Sequence, residues 1–167
     1  MKKTLVICLL ILLLAGCSRP KEFETMADTY TEPHLAEAWQ ISVKLPPDAI
    51  VAVLESADTG KLYLCDDYSL TTQTMEAGDL NRTLKEITGF SRDAIMVIET
   101  VQGALKRYDC AWTVVGEGGE QTCRAAVLDD GNYHYVVTVM ADCVSAGALQ
   151  ESWQGIFDSF RIINTGT

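Results

Sequence analysis

The sequence predicts an α+β domain, an antiparallel meander sheet packed with two α-helices. Three observations carry this. Runs that alternate polar with apolar residues recur between glycine-containing turns, the period-2 mark of half-buried strands. All four prolines lie at or before Pro47, so the later runs are free of a residue that cannot donate to a strand ladder. Two stretches instead space their apolar residues for a helix.

The folded part is expected to start near Trp39. Gln40-Ile41-Ser42-Val43-Lys44-Leu45 alternates as a strand and stops at Pro46-Pro47-Asp48. Ala49 to Leu54 and Lys61 to Cys65 read as two strands joined by a turn at Asp58-Thr59-Gly60. The threonine-rich Tyr68 to Thr74 reads as a further strand. Gly78 to Gly89 reads as the first helix, with Asp79 as N-cap, Leu80, Leu84 and Ile87 on one face, and Gly89 at the C-terminal glycine position. Four strand-like runs follow: Ala94 to Val101, Lys106 to Val115, Gln121 to Asp129 and Asn132 to Ala141. Gln102-Gly103, Gly116 to Gly119 and Asp130-Gly131 are the turns between them, and Asp-Gly between such runs is a strong hairpin signal. In the second run Tyr108, Cys110, Trp112 and Val114 share a side. The last element is expected to be a helix from Ser145 to Arg161. Leu149, Trp153, Ile156, Phe157 and Phe160 form its apolar stripe, and Arg161 suits its C-terminal dipole.

Ahead of this domain stands an export signal. Lys2 and Lys3 precede an apolar run from Thr4 to Leu14, too short to span a bilayer, which takes roughly 20 residues. Leu14-Ala15-Gly16-Cys17 closes the run and resembles the bacterial lipobox. That resemblance implies cleavage after residue 16, lipid (palmitate-type acyl chains) on Cys17, and a membrane-anchored lipoprotein on the outer, extracytoplasmic face. Residues 17–37, weakly patterned and polar, are expected to be a flexible tether, and residues 38–167 a single domain. Ser18, not aspartate, follows Cys17, so a host with two membranes would be expected to sort the protein to the outer one.

The full chain has 13 basic and 23 acidic residues, and loss of Lys2 and Lys3 leaves 11 against 23. Such a body is repelled by phosphates, which argues against nucleic-acid partners. Lipid alone then provides the membrane contact. Of the six cysteines, Cys8 leaves with the signal and Cys17 carries lipid. Cys65, Cys110, Cys123 and Cys143 either form two disulfides or stay as buried thiols. One pairing depends on hairpin register. If Val114 lies opposite Gly119, Cys110 and Cys123 face each other, leaving Cys65 with Cys143. If Val115 pairs with Glu120, the two are offset beyond bridging distance.

In element order and length, and in the closing Trp153-x-x-Ile156-Phe157-x-Ser159-Phe160 helix, residues 38–163 resemble the PsbP-like fold. The chain is also similar to a group of small lipoproteins of Gram-positive anaerobes. That likeness lies in Thr71-Thr72-Gln73-Thr74, Thr88-Gly89-Phe90, Lys106-Arg107-Tyr108 and Leu128-Asp129-Asp130-Gly131-Asn132-Tyr133-His134-Tyr135. It points to a host with one membrane. The PsbP likeness implies a binding or assembly module rather than an enzyme, acting on an envelope protein or small ligand.

Candidate chemistry is sparse. There are two histidines. His34 falls in the tether. His134 in its strand could act only with an oriented partner such as Cys123 with Asp129. Asp66-Asp67 and Asp129-Asp130 lack the ligand alternation of a calcium loop, and the latter reads as turn chemistry. Gly116 to Gly119 lacks the Lys and Ser/Thr of a phosphate loop. Neither a metal nor a cofactor is expected. Lys106 and Arg107, with Arg124 on the neighbouring strand, form a candidate anion-contact patch; the bland reading is cross-strand ion pairing with Asp109 and other acids. The leading expectation is a non-enzymatic binding module. The alternative is a small-ligand receptor or enzyme using a cleft between sheet and helix.

Overall fold

The computed structural model describes residues 24–28, 38–52, 60–116 and 118–163. The signal segment, Cys17, His34, most of the expected tether and the Asp58-Thr59 turn lie outside the described residues. Ten strands form two antiparallel sheets: β1 (Glu24–Asp28), β2 (Gln40–Leu45), β3 (Ile50–Ala52), β4 (Gly60–Leu64), β5 (Ser69–Glu76), β6 (Met96–Gln102), β7 (Leu105–Gly116), β8 (Gly119–Asp129), β9 (Tyr133–Asp142) and β10 (Arg161–Ile163). The larger sheet has the order β3-β4-β5-β9-β8-β7-β6, and the smaller the order β1-β2-β10. Among the described residues the α-helices are α1 (Leu80–Thr88), α2 (Cys143–Ala146) and α3 (Gln150–Ser159). The fold is α+β.

The local chemistry of α1 is as the residues dictate. Asp79 accepts a hydrogen bond from the Asn81 amide at 3.0 Å, and Gly89 takes the left-handed conformation with φ 78°. The helix drops Leu80, Leu84 and Ile87 onto Tyr108, Cys110, Ala125, Val127 and Val136 of the large sheet. On the opposite face, Trp153, Ile156 and Phe157 of α3 pack with Tyr63, Leu70, Leu128, Tyr135 and Val137. Ile41, Val43 and Leu45 of β2 and Ile162 of β10 join this second core. Three layers result: α1, the large sheet, and α3 beside the small sheet.

Three expectations are corrected. The single closing helix is two: α2 ends in a turn through Gly147 and Ala148 before α3 begins. Arg161 is therefore strand, not helix, because Phe160 turns extended at φ −62°, ψ 120° and the chain then pairs with β2. The span assigned to the tether contains β1, which pairs with β2 from Glu24 opposite Leu45 to Asp28 opposite Ile41.

The hairpin between β7 and β8 takes the second register: Val115 lies opposite Glu120 and Gly116 opposite Gly119. Cys110 consequently faces Ala125, Cys123 faces Trp112, and the two are offset rather than directly opposed. Cys65, Cys110, Cys123 and Cys143 are all free thiols in this structure.

Candidate binding cleft

Seven strands about 4.8 Å apart make a sheet roughly 29 Å wide, while one helix with its side chains covers about 10 Å. The ten-residue α3 therefore leaves the β6–β7–β8 end of its face open. The sheet there presents Ala111 opposite Arg124, and Ala126 opposite Asp109, so little bulk fills the space. A cleft of about 830 Å³ results between α3 and the strands. Its polar lining includes Thr100, Gln102, Gln154 and Asp158.

Two arginines define it, and they do different things. Arg107 is only 8% exposed. Its Nε and Nη2 donate to both oxygens of Asp109, at 2.8 and 2.9 Å, and its Nη1 donates to the Phe157 carbonyl at 3.0 Å. Arg107 thus ties β7 to the last turn of α3, where free carbonyls need donors. Its positions for an anion are already taken. Arg124 is half-buried, lies over the Phe157 ring at 5.0 Å from the centroid, and has no carboxylate or hydrogen-bond partner among the described residues. It also borders a recess of about 120 Å³ with Met96, Ile98 and Ala111. Met96 and Ile98 are 77% and 56% exposed.

The candidate anion patch is therefore split. Arg107 and Arg124 share the α3 face. Lys106, one residue along the strand, points to the α1 face, because successive strand residues alternate. Arg107 is ion-paired with Asp109, but within β7, two residues along the same strand, rather than across strands.

His134 is not part of the cleft. It is buried on the α1 face, with Nδ1 2.7 Å from the Thr83 hydroxyl and Nε2 3.8 Å from an Asp129 oxygen. Burial pushes its pKa below the usual histidine value, opposed by the Asp129 and Asp130 charges. Cys123 lies opposite Met140, six positions along β8 from Asp129 and about 20 Å away, so these three groups do not assemble. Asp129 and Asp130 accept from the Gly131, Asn132 and Tyr133 amides, which is turn chemistry. Asp130 also accepts from the Tyr135 hydroxyl at 3.0 Å. Asp66 donates its amide to Asp48 at 2.9 Å. A second, smaller hollow of about 340 Å³ lies on the α1 face, where the nine-residue helix stops short of Trp112, Val114 and Met140. Arg124 with Phe157, Met96 and Ile98 is the grouping the sequence reading missed. Only the strand order and the α3 contact bring it together.

No family model matches the sequence, and no curated relative does. Solved structures do. The cyanobacterial PsbP protein (CyanoP) of Synechocystis sp. PCC 6803 superposes with a TM-score of 0.61 at 12% identity, covering 89% of this chain and 97% of that one. LpqN of Mycobacterium tuberculosis, described as involved in cell envelope biogenesis, gives 0.54 at 12% identity, covering 86% and 92%. The Ran-binding protein Mog1p of Saccharomyces cerevisiae gives 0.51 at 15% identity, covering 86% and 98%. At such identities the likeness concerns the fold, and the fold is PsbP-like.

Proposed function

We propose that this chain is a lipid-anchored, extracytoplasmic binding module that holds a protein partner at the β6–β7–β8 end of the α3 face. The observation that carries it is Arg124, without an anionic partner among the described residues and stacked on Phe157, beside exposed Met96 and Ile98. Arginine, methionine and aromatic residues gathered in one spot are the composition of an interface centre. The neighbours lend support in kind, since one is a Ran-binding protein and another is tied to the cell envelope. Lipid on Cys17 would keep the domain near envelope partners and raise its effective concentration.

A second reading has its own observation. The cleft is within the roughly 300–1,000 Å³ of small-molecule sites and is lined by amide, hydroxyl and carboxylate groups, which suits a small polar ligand. One experiment separates the two. The full lipoprotein, with p-benzoylphenylalanine in place of Gln154, is irradiated in cells beside a control with the label in place of Lys85 on α1. The module reading expects one dominant adduct from position 154, absent from position 85 and lost on Cys17→Ala. Identical adducts from both positions would refute it. No adduct, with thermal stabilisation by a small envelope metabolite that Arg124→Gln abolishes, would establish the receptor reading instead.

A further inference from the structure

Strand β1 shortens the link to the lipid. It starts at Glu24, so residues 18–23 alone separate Cys17 from the small sheet. Seven Cα–Cα steps reach at most about 25 Å fully extended, and roughly 15 Å as a flexible chain. Strand β8, with 11 residues, is about 36 Å long. A lipid on Cys17 therefore cannot hold either end of the domain at the bilayer with equal ease.

Strand pairing shows which end Glu24 occupies. It lies opposite Leu45, where β2 ends. A turn closed by the Ala49 amide on the Pro46 carbonyl, at 3.0 Å, leads at once to Ile50 of β3. Ile50 lies opposite Leu64, Leu64 opposite Ser69, and Ser69 opposite Met140. Strand β9 ends just beyond, with Asp142 opposite Gln121, beside the β7–β8 turn at Gly116 and Gly119. This end carries Ile50, Leu64, Val115 and Val144, each at least 50% exposed and Val144 97%. At the far end, where the Gly103 and Gly131 turns lie, the exposed large apolar side chains are Val101 and, less so, Trp39.

We propose that the end marked by Ile50, Leu64, Val115 and Val144 rests on the bilayer that holds the Cys17 lipid, its apolar side chains against the headgroup layer. This rests on the lipid anchor of the binding-module reading and adds an orientation to it. The short link keeps this end at high effective concentration beside the surface. Asp48, Asp66, Asp67, Glu120 and Asp142 share the same end, so the surface it suits is zwitterionic rather than anionic. The strands then stand roughly upright, and the cleft under α3 opens sideways. Its strand lining runs from Arg124, opposite Ala111 and roughly 17 Å above this end, to Gln102, roughly 36 Å above it. A partner held at the same membrane meets the cleft at that height.

The test reconstitutes the full lipoprotein into phosphatidylcholine vesicles, with p-benzoylphenylalanine in place of Ile50 or Val144. Far-end controls carry it in place of Val101 or Asn132. Intact mass after irradiation reads lipid adducts. Yields from positions 50 and 144 should be roughly fivefold or more above those from 101 and 132. About twenty glycine and serine residues inserted after Pro20 should cut the yield at 144 roughly five- to tenfold, because effective concentration falls about as the −3/2 power of linker length. Equal yields from the two ends, higher yields from 101 and 132, or a yield at 144 unchanged by the insertion would overturn the proposal. Cys17→Ala mixed with the same vesicles should give no adduct, and an undiminished one would also overturn it, since the anchor would then not set the orientation. Protein that floats with the vesicles yet gives no lipid adduct from any position would sink the docking and leave the anchor standing. Protein that does not float would remove both.

Discussion

Arg107 shows how a residue with the look of a ligand contact can be spent on the fold. Its guanidinium satisfies a carboxylate and a helix-end carbonyl from inside the protein, and all three distances are at or below 3.0 Å. Arg107→Ala leaves the Asp109 carboxylate and the Phe157 carbonyl without these donors. Urea unfolding should show a loss of about 2–3 kcal/mol, less than for a fully buried pair because the Asp109 side chain is 28% exposed. The double variant Arg107→Met with Asp109→Leu should recover part of it, and a double variant worse than Arg107→Ala would contradict the account. His134 makes a pH prediction. The folded state holds it with a lowered pKa, chiefly through burial, so the unfolded chain takes up its proton first as pH falls through about 6.5. Stability from this group is complete above that value and declines below it. The urea midpoint should fall between pH of about 7.5 and 5.5, and His134→Gln should flatten that segment while His34→Gln leaves it intact. An unchanged slope in His134→Gln would assign the dependence to other groups.

At the scale of elements, legibility followed how local the determinants were. The α1 helix was readable because Asp79, its apolar face and Gly89 lie within a dozen consecutive positions. The hairpin turns at Gly103 and Gly131 were readable because both glycines adopt positive φ, 65° and 93°. The break between α2 and α3 was not, since the apolar spacing of Leu149, Trp153 and Phe157 begins only after it and does not mark where the preceding turn of helix stops. Nor was the cleft, because the insertion of β9 between β5 and β8 is a long-range outcome. One part of the patch is decided locally: Lys106 and Arg107, adjacent on a strand, cannot share a face. Helix α3 itself depends on Trp153, fully buried and edge-on to Tyr68 at 6.3 Å. Its indole Nε1 has no hydrogen-bond partner among the described residues. Trp153→Phe therefore gives up ring volume but no hydrogen bond, and should cost clearly less than truncation to alanine. Trp153→Ala should cost about 3–5 kcal/mol. Chemical unfolding that found the two variants equal would mean the indole N–H is engaged after all.

The molecule as a whole is held together by strand β8, which is buried from both sides. Ala125 and Val127 pack under α1, while Ala126 and Leu128 pack under α3. Neither layer can be exposed along this strand without disturbing the backbone that serves the other, so the two cores should open together. The cysteines offer a way to observe this. Cys110 and Cys123, 5% and 2% exposed, face the α1 side. Burial pushes both thiols up to about 11. At pH 8 roughly one such group in a thousand is thiolate, the reactive form, and even that fraction is shielded from reagent. Modification of the folded protein must then wait for an opening event, and with slow reagents its rate follows the population of the open state. Under iodoacetamide, Cys143, which is half-buried at the start of α2, should react first. Cys110 and Cys123 should follow later, at matching rates that rise with urea in step with loss of the α3-side core, read from Trp153 fluorescence in a background carrying Trp39→Phe and Trp112→Phe. Separate rates, with Cys110 labelled while Trp153 remains native, would show that α1 lifts off alone. Non-reducing peptide mapping that joined Cys110 to Cys123 would show that the thiols in the cell are not the free pair this register describes.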